Sequence, residues 1–400
     1  MQKIVLPNGL TVIYEHKKTN SVVVQVMVNV GSNDEAPEER GIAHFLEHIL
    51  FEGTKKRPTN ELISNEIEKI GGDFNAYTTA EKTCFYVKVL KKHFKLGVDI
   101  LSDIIQNSEF KKEFVMKERN IVLKEIDMIN DEPRFYQWLL LQKHLFDKHP
   151  SKYPTYGTKQ VIRNLNRDKV ITFFNKHYVP NNMVVSIVGN IPNWKKEIKK
   201  QFTLPSKRIS TRKRAKEPKQ TRNKLRKEKR AVANTYLVMG FKTVPRNHKD
   251  AAVLEVINGI LGRGQSGKMF IEIRSKRGLA YDVGTQHVAD RSFGYFAVYA
   301  TIDKKNIKLV DRLITEEINK LHNVTENDLK EAKTFMEGNF LLSIEDTQKL
   351  ADELLNWEQL GDANQMNTFL KLVKKVTVKD VQRVLRTYFK HHTTTILEGK

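Results

Sequence analysis

The order of predicted secondary structure in the first half of this 400-residue chain recurs in the second half. The first half carries a strand, two helical patterns, two paired strands and two helices, at 21–30, 40–51, 59–70, 73–80, 83–90, 93–106 and 110–130. The second half carries the same series at 232–241, 247–261, 266–276, 279–287, 292–301, 304–319 and 325–342. The offset between matching elements is roughly 206–214 residues. This repeat predicts an α+β fold of two homologous domains, each a mainly antiparallel sheet packed with helices.

A strongly basic stretch separates the two halves. The chain has 69 Lys and Arg against 47 Asp and Glu, and residues 195–230 hold 17 of the basic and three of the acidic residues. We therefore predict a basic linker at 205–230, whose last residues are compatible with a strand, between domains at 1–204 and 231–400. The net charge of +22 suggests nucleic-acid binding. The linker lacks interleaved aromatic residues, so a solvated connection is favoured and nucleic-acid binding is unlikely.

Composition excludes several classes of protein. A hydrophobic fraction of 40% excludes a disordered chain, and the single cysteine, Cys84, excludes a disulfide framework and a cysteine-based zinc site. We expect Cys84 to be a buried structural thiol. The first 18 residues show no signal peptide, and no run of 18 uncharged apolar residues predicts a membrane span. The expectation is a soluble cytoplasmic protein without membrane contact.

The predicted helix at 40–51 carries metal-binding side chains on its polar face. Apolar residues spaced i, i+3, i+4 and i+7 from Ile42 form one side, and His44, Glu47 and His48 form the other. Two imidazoles four residues apart can bind one metal ion, because those positions are neighbours on a helix surface. Glu47 can then take a proton from the water that the metal activates. This H-x-x-E-H order inverts a common zinc-peptidase motif. The alternative is a solvated face that happens to hold two histidines.

The predicted helix at 110–130 carries Glu118 and Glu125 in the middle of its apolar face. Burial of an unpaired carboxylate is unfavourable, so both side chains need partners. A metal ion with its histidines is a sufficient partner, and arginines or backbone donors are the alternative. The two helices together predict a metal site formed by His44, His48 and one of these glutamates, with water in the fourth position, as catalytic zinc sites require.

These motifs resemble the inverted-zincin metallopeptidases, the family of pitrilysin, insulin-degrading enzyme and mitochondrial processing peptidase. In that family, H-x-x-E-H is followed by 76 residues and a glutamate, and the same spacing joins His48 to Glu125 here. The resemblance therefore implies one zinc ion per chain, held by His44, His48 and Glu125. It makes Glu47 the catalytic base. Glu118, seven residues before Glu125, would orient the ligands.

Further segments resemble the same family along the whole chain, at 6–12, 71–87, 149–158, 178–191 and 269–283. By this resemblance, Asn75 and Ala76 bind extended substrate, which adds to the sheet edge as a strand. Arg274 would bind substrate carbonyls, and Tyr281 would stabilise the tetrahedral intermediate.

One segment, GRGQSGKM at 262–269, departs from the family pattern and raises the question of nucleotide binding. The family usually has Ser-Ser-Arg-Leu there, so substrate contacts of this loop are not carried over. The segment also fits the phosphate-binding pattern G-x-x-x-x-G-K. However, Met269 stands where that motif needs a hydroxyl for magnesium, and a helical pattern precedes it instead of a strand. Nucleotide binding is therefore not expected.

The resemblance implies a zinc-dependent endopeptidase of the short, two-domain form. Residues 1–204 would be the zinc-binding peptidase domain, and residues 231–400 the homologous domain with the Arg–Tyr pair, together one half-shell. Larger members join two half-shells around a chamber, so a homodimer is expected here, in which Arg274 and Tyr281 complete the second protomer's site. The substrates would be peptides or unfolded segments. The alternatives are a noncatalytic structural or partner subunit of the family, and nucleic-acid or anion binding by the linker.

Overall fold

The computed structural model describes residues 1–207, 209 and 216–399. The helices among these residues are α1 Ile42–Ile49, α2 Asn60–Glu68, α3 Phe94–Asn107, α4 Lys112–Asp131, α5 Pro133–Leu145, α6 Lys159–Arg163, α7 Arg167–His177, α8 Trp194–Gln201, α9 Ala251–Gly262, α10 Ile307–Lys320, α11 Glu326–Ser343, α12 Thr347–Gln359, α13 Gln365–Lys375 and α14 Val378–Tyr388. The strands are β1 Gln2–Val5, β2 Thr11–His16, β3 Ser21–Val28, β4 Asp73–Thr78, β5 Thr83–Leu90, β6 Met183–Gly189, β7 Lys224–Lys229, β8 Thr235–Lys242, β9 Ala280–Ala289, β10 Gly294–Ile302 and β11 Thr393–Glu398.

The chain folds as two compact units, each assembled from three segments. Unit one comprises Met1–Asp127, Pro154–Lys213 and Ser343–Met366, and unit two comprises Met128–Tyr153, Arg214–Leu342 and Asn367–Lys400. Each unit therefore combines most of one half of the chain with a short segment from the other half. Within the predicted linker 205–230, residues 208 and 210–215 lie outside the described part of the chain.

The described residues of unit one form a six-stranded sheet in the order β1-β2-β6-β3-β5-β4. The β2–β6 pair is parallel and the other neighbours are antiparallel. The central strand β3 is rich in β-branched residues and contacts both α3 and α12. Its one amide side chain, Gln25, is fully buried and is satisfied by Asp352 and Gln348 of α12.

In unit two, the described residues form a five-stranded sheet in the order β7-β11-β8-β10-β9. Only the β7–β11 pair of this sheet is parallel. Helix α5 packs on β8 and β11, and α9 packs on β9. The apolar core of this unit is centred on buried residues of α9 and β10 such as Leu254 and Phe296. The prediction of two α+β domains with mainly antiparallel sheets is therefore confirmed.

Two short segments refine the element assignments. The end of the basic stretch forms β7, an edge strand whose backbone pairs with β11. The predicted helix at 266–276 is helical from 268 to 275, and its part at Phe270–Ser275 is a π-type turn, in which the Lys276 N–H donates to the Ile271 carbonyl five residues earlier. Apolar spacing over so short a segment does not distinguish a π turn from an α-helix.

Across the described ranges, no helix combines the length and the apolar character that a membrane crossing requires.

Candidate metal centre

The start of α1 is fixed by close backbone contacts that only glycine permits. Gly41 precedes the helix with φ of 95°, and a Cβ atom there would lie 2.4 Å from the Tyr156 carbonyl oxygen. Gly157 has φ of 74°, and a Cβ atom at this position would lie 2.0 Å from the Arg40 carbonyl oxygen. The segment around Tyr156 therefore sets where the histidine-bearing helix begins.

Glu35, which the sequence analysis did not identify, anchors the same helix end. Its carboxylate accepts hydrogen bonds from the Gly41 N–H at 2.8 Å and the Ala43 N–H at 2.9 Å. The side chain is fully buried, and burial raises its pKa to about 8, although both N–H donors oppose that rise. Among carboxylates of a polar loop, no sequence pattern distinguishes this one from its neighbours.

His44, His48 and Glu125 converge on one point. One ligand atom from each lies within 4.8 Å of the other two. Glu125 lies between the imidazoles: its Oε1 atom is 3.6 Å from His44 Nε2, and its Oε2 atom is 3.5 Å from His48 Nε2. The two imidazole ring centres are 4.7 Å apart. The structure thus gathers the three predicted metal ligands from α1 and α4.

Glu118 lies beside this cluster, where it contacts the outer nitrogen of one imidazole. Its Oε2 atom is 3.2 Å from His48 Nδ1, and its side chain is 6% exposed. A proton shared between Nδ1 and the carboxylate leaves the Nε2 lone pair directed toward Glu125. This is the arrangement by which a carboxylate orients a metal-binding histidine.

Negative charge around His48 stabilises its protonated form. Burial lowers the pKa of His48, but the bond to Glu118 and the charges of Glu125 and Glu47 outweigh burial and raise it. The hydrogen bond from His44 lowers the pKa of Glu125 despite its partial burial. The cluster therefore holds an ionised carboxylate close to two imidazoles.

The donor set fits a zinc ion. Two imidazoles and a carboxylate are typical ligands of catalytic zinc. Among the described residues, Glu125 Oε2 and His44 Nδ1 are buried and have no hydrogen-bond partner. A buried oxygen of an ionised carboxylate without a donor is costly, and a cation at this point would remove that cost.

Glu47 lies on α1 between the two histidines in sequence. The Thr78 hydroxyl, at the end of β4, donates a hydrogen bond to Glu47 Oε2 over 2.5 Å. Thr78, which the sequence analysis also missed, thereby fixes the carboxylate of the predicted base relative to the sheet.

Asn75 and Ala76 lie in β4, directly opposite Tyr86 and Phe85 of β5. In the described part of the chain, β4 is the last strand of its sheet and pairs only with β5. Its outer edge thus offers unpaired backbone groups beside the strand end that holds Glu47. The Asn75 side chain is exposed and accepts a hydrogen bond from the Ala76 N–H.

Arg274 and Tyr281 lie together in unit two, at the π-type turn and the start of β9. The Arg274 guanidinium carbon is 5.6 Å from the Tyr281 ring centre and 5.1 Å from the Phe270 ring centre. Tyr281 is 69% exposed, and Arg274 forms no ion pair with any acid that the structure describes. The pair therefore presents a free cation and an aromatic ring at the surface.

The remaining sequence signals have structural explanations. Cys84 is a free, fully buried thiol in β5, as expected, and burial raises its pKa to about 11. The segment 262–268 follows helix α9, and Lys268 forms an ion pair with Asp328 at 2.9 Å.

Comparison with known proteins matches two successive parts of the chain to two family models. The family model for insulinase, peptidase family M16, matches residues 11–159, and the model for the peptidase M16 inactive domain matches residues 164–336. The chain belongs to peptidase family M16. The uncharacterized zinc protease YmxG of Bacillus subtilis is 31% identical over 96% of this M16 chain and 94% of its own length. An uncharacterized zinc protease of Mycobacterium leprae is 32% identical over 94% of this chain and 86% of its own length.

Solved structures support the same fold for this M16 chain. A protease from Helicobacter pylori matches with a TM-score of 0.94 and 24% identity, over 99% of each chain. A putative M16-like peptidase from Alicyclobacillus acidocaldarius matches with a TM-score of 0.86 and 20% identity, over 100% of this chain and 98% of its own. At these identities the similarity establishes the architecture.

Proposed function

We propose that this M16 chain is a zinc-dependent endopeptidase. The observation that carries the proposal is the convergence of His44, His48 and Glu125 around a buried carboxylate oxygen without a hydrogen-bond donor. A zinc ion held by these three residues would polarise a scissile carbonyl and make water more acidic. Family membership and the relatives named zinc proteases agree with this function. The cytoplasmic location stays a prediction of the sequence.

The protein groups around the site divide the remaining tasks. Glu47 accepts the proton of the attacking water at its carboxylate and then donates it to the leaving amine. Its bond to Thr78 holds the carboxylate in place between these two transfers. The open edge of β4, at Asn75 and Ala76, binds an extended segment of substrate through backbone hydrogen bonds. Peptides and unfolded segments present such a backbone along their whole length.

The decisive experiment measures zinc content and peptide cleavage on the same samples. Wild-type protein should contain one zinc ion per chain, and a chelator should abolish its cleavage of an unstructured peptide. Glu47→Gln should retain zinc and lose nearly all turnover, whereas Glu125→Ala should lose zinc. Glu113→Gln, an exposed change on the same helix as Glu125, is the matched control. Full turnover by Glu47→Gln would contradict the mechanism, and unchanged zinc content in Glu125→Ala would contradict the ligand assignment.

We further propose a homodimer in which Arg274 and Tyr281 complete the site of the second protomer around an enclosed chamber. The support is the exposure of both side chains and the absence of an acidic partner for Arg274 among the described residues. An exposed guanidinium can bind substrate carbonyls, and an exposed phenol can stabilise an oxyanion. Mixed dimers of Glu47→Gln and Tyr281→Phe protomers should regain one competent site each. No recovery after demonstrated subunit exchange would contradict completion by the second protomer.

A further inference from the structure

Unit two contains a cavity of about 700 Å³ that none of the peptidase residues line. Its walls are the segment 217–221, the end of β8 with the following residues at 242–245, and residues 292–294, where β10 begins. The end of α14 at 387–388, the following residues 390–391, and Phe146 complete the lining. This volume lies in the range of small-molecule sites, about 300–1,000 Å³. The cavity is large enough for a ligand with an aromatic ring system.

The body of the cavity is apolar and aromatic. The rings of Phe146 and Phe293 meet edge to face, with their centres 5.6 Å apart, and both side chains are almost fully buried. Tyr388 contributes its ring, since its hydroxyl is hydrogen-bonded to Asp250 at 2.8 Å. Val244 and Pro245 also line this region. A flat apolar group is therefore the complement of this surface.

The cavity carries uncompensated positive charge. Glu217 is the one acid among the described lining residues, and it accepts hydrogen bonds from the backbone N–H groups of residues 147–149 and from Lys242. These donors lower the pKa of Glu217 against the effect of its partial burial, so it is ionised and its charge is balanced by Lys242. Lys219 and Lys390 are exposed lining residues, and neither forms an ion pair with an acid that the structure describes.

Thr243 and Ser292 are two of the hydroxyl-bearing residues that line the cavity. Thr243 Oγ1 is buried, lies near Gly294 and has no hydrogen-bond partner among the described residues. Ser292 Oγ lies 3.1 Å from His149 Nε2, which suggests a nucleophile with its base. However, His149 Nδ1 accepts the Ser151 N–H, so the proton of this imidazole is on Nε2 and is donated to Ser292. His149 therefore cannot activate Ser292, and the cavity is suited to binding rather than to covalent catalysis.

We propose that this cavity binds a small amphipathic anion, an aromatic body that carries one carboxylate, sulfonate or phosphate group. The aromatic walls take the apolar body, Lys219 and Lys390 bind the anionic group, and Thr243 provides a hydrogen-bonding hydroxyl. This proposal is independent of zinc binding and of proteolysis.

The test uses the full chain and the fluorescent aromatic sulfonate 8-anilinonaphthalene-1-sulfonate. We expect one binding site per chain, and an affinity that falls about tenfold or more in the double variant Lys219→Glu/Lys390→Glu, because two charge-assisted contacts are lost. The matched control, Lys305→Glu/Lys308→Glu, makes the same charge change at exposed positions of the same unit, outside the cavity. It should bind the probe within twofold of the wild type. Unchanged circular dichroism would show that both variants are folded.

Competition with the bound probe then shows whether the anion is a free small molecule or the C-terminus of a peptide. Free 3-phenylpropionate should displace the probe, and its neutral amide should not. Displacement only by a peptide with a C-terminal phenylalanine carboxylate would overturn the small-molecule assignment. Equal probe affinity in the wild type and in the Lys219/Lys390 variant would overturn the site itself. A loss of affinity equal to that of the Lys305/Lys308 control would do the same.

Discussion

The Nδ1 atom of His48 lies 3.2 Å from Glu118 Oε2, while the Nε2 atom of the same ring lies 3.5 Å from Glu125 Oε2. One imidazole thus joins two glutamates that are seven residues apart on α4. The two glutamates therefore have different roles. Glu118 fixes the orientation of the His48 ring, and Glu125 faces the proposed metal.

Removal of the Glu118 charge should weaken zinc binding without removing a ligand. We expect Glu118→Gln to lower zinc affinity about 10–100-fold, since this carboxylate orients His48. Competition with a chromophoric chelator measures this affinity directly. Glu113→Gln on the exposed side of α4 should bind zinc like the wild type. Equal affinity in both variants would show that Glu118 does not support the ligand.

Arg57 should be a main stabilising residue of unit one. Its side chain is 3% exposed and contacts Asp103 at 2.9 Å, Asp99 at 2.6 Å and Glu66 at 2.9 Å. Arg57→Leu leaves Asp103 charged and buried, so we expect a loss of about 3 kcal/mol in the free energy of unfolding. Urea denaturation measures this loss. Adding Asp103→Asn to Arg57→Leu should recover part of it, and a further loss in the double variant would contradict this explanation.

Stability should depend on the protonation of His177. Burial lowers the pKa of this imidazole to about 4, below its ordinary value of 6.5. The unfolded chain therefore takes up a proton between pH 6.5 and pH 4 that the folded chain does not, and stability is lost as the pH falls through this range. The advantage of the wild type over His177→Gln should shrink by about 2 kcal/mol between pH 7 and pH 4.5. A constant difference in urea midpoints would contradict this prediction.

The lysines of β7 should prevent self-association. This strand is the edge of its sheet, and Leu225 on it is 54% exposed. Charged side chains on an exposed edge discourage pairing with a second chain. We expect Lys227→Val/Lys229→Val to aggregate at lower temperature than the wild type, as measured by light scattering. Lys305→Val/Lys308→Val outside the strands should not, and equal aggregation of both variants would indicate a general charge effect instead.

The sequence predicts the local parts of the site well, because they depend on short-range periodicity. The spacing within α1 defines the polar face with His44 and His48, and the alternation in β4 and β5 defines the neighbouring strands. The pattern does not predict which role belongs to Glu118 and which to Glu125. Seven residues are nearly two helical turns, so both carboxylates lie on the same face of α4. Periodicity alone could not assign them, since the distinction depends on how α4 packs beside α1.

Long-range partners are also beyond the reach of local patterns. Glu35 binds the start of α1 and Thr78 binds Glu47, but each contact depends on how separate segments meet in the fold. The same holds for α5 and α12, because an amphipathic pattern indicates a buried face but does not identify the sheet that covers it.

The membership of α12 in unit one has a consequence for synthesis of the protein. Gln25 of β3 finds its partner Asp352 only 327 residues further along the chain. During translation, the part of this sheet that α12 covers therefore stays uncovered until nearly the whole polypeptide has left the ribosome. A nascent chain that stopped before α12 would expose β3 and β6, which are natural sites for chaperone binding. The unit that contains the proposed metal centre is thus completed only when synthesis is almost finished.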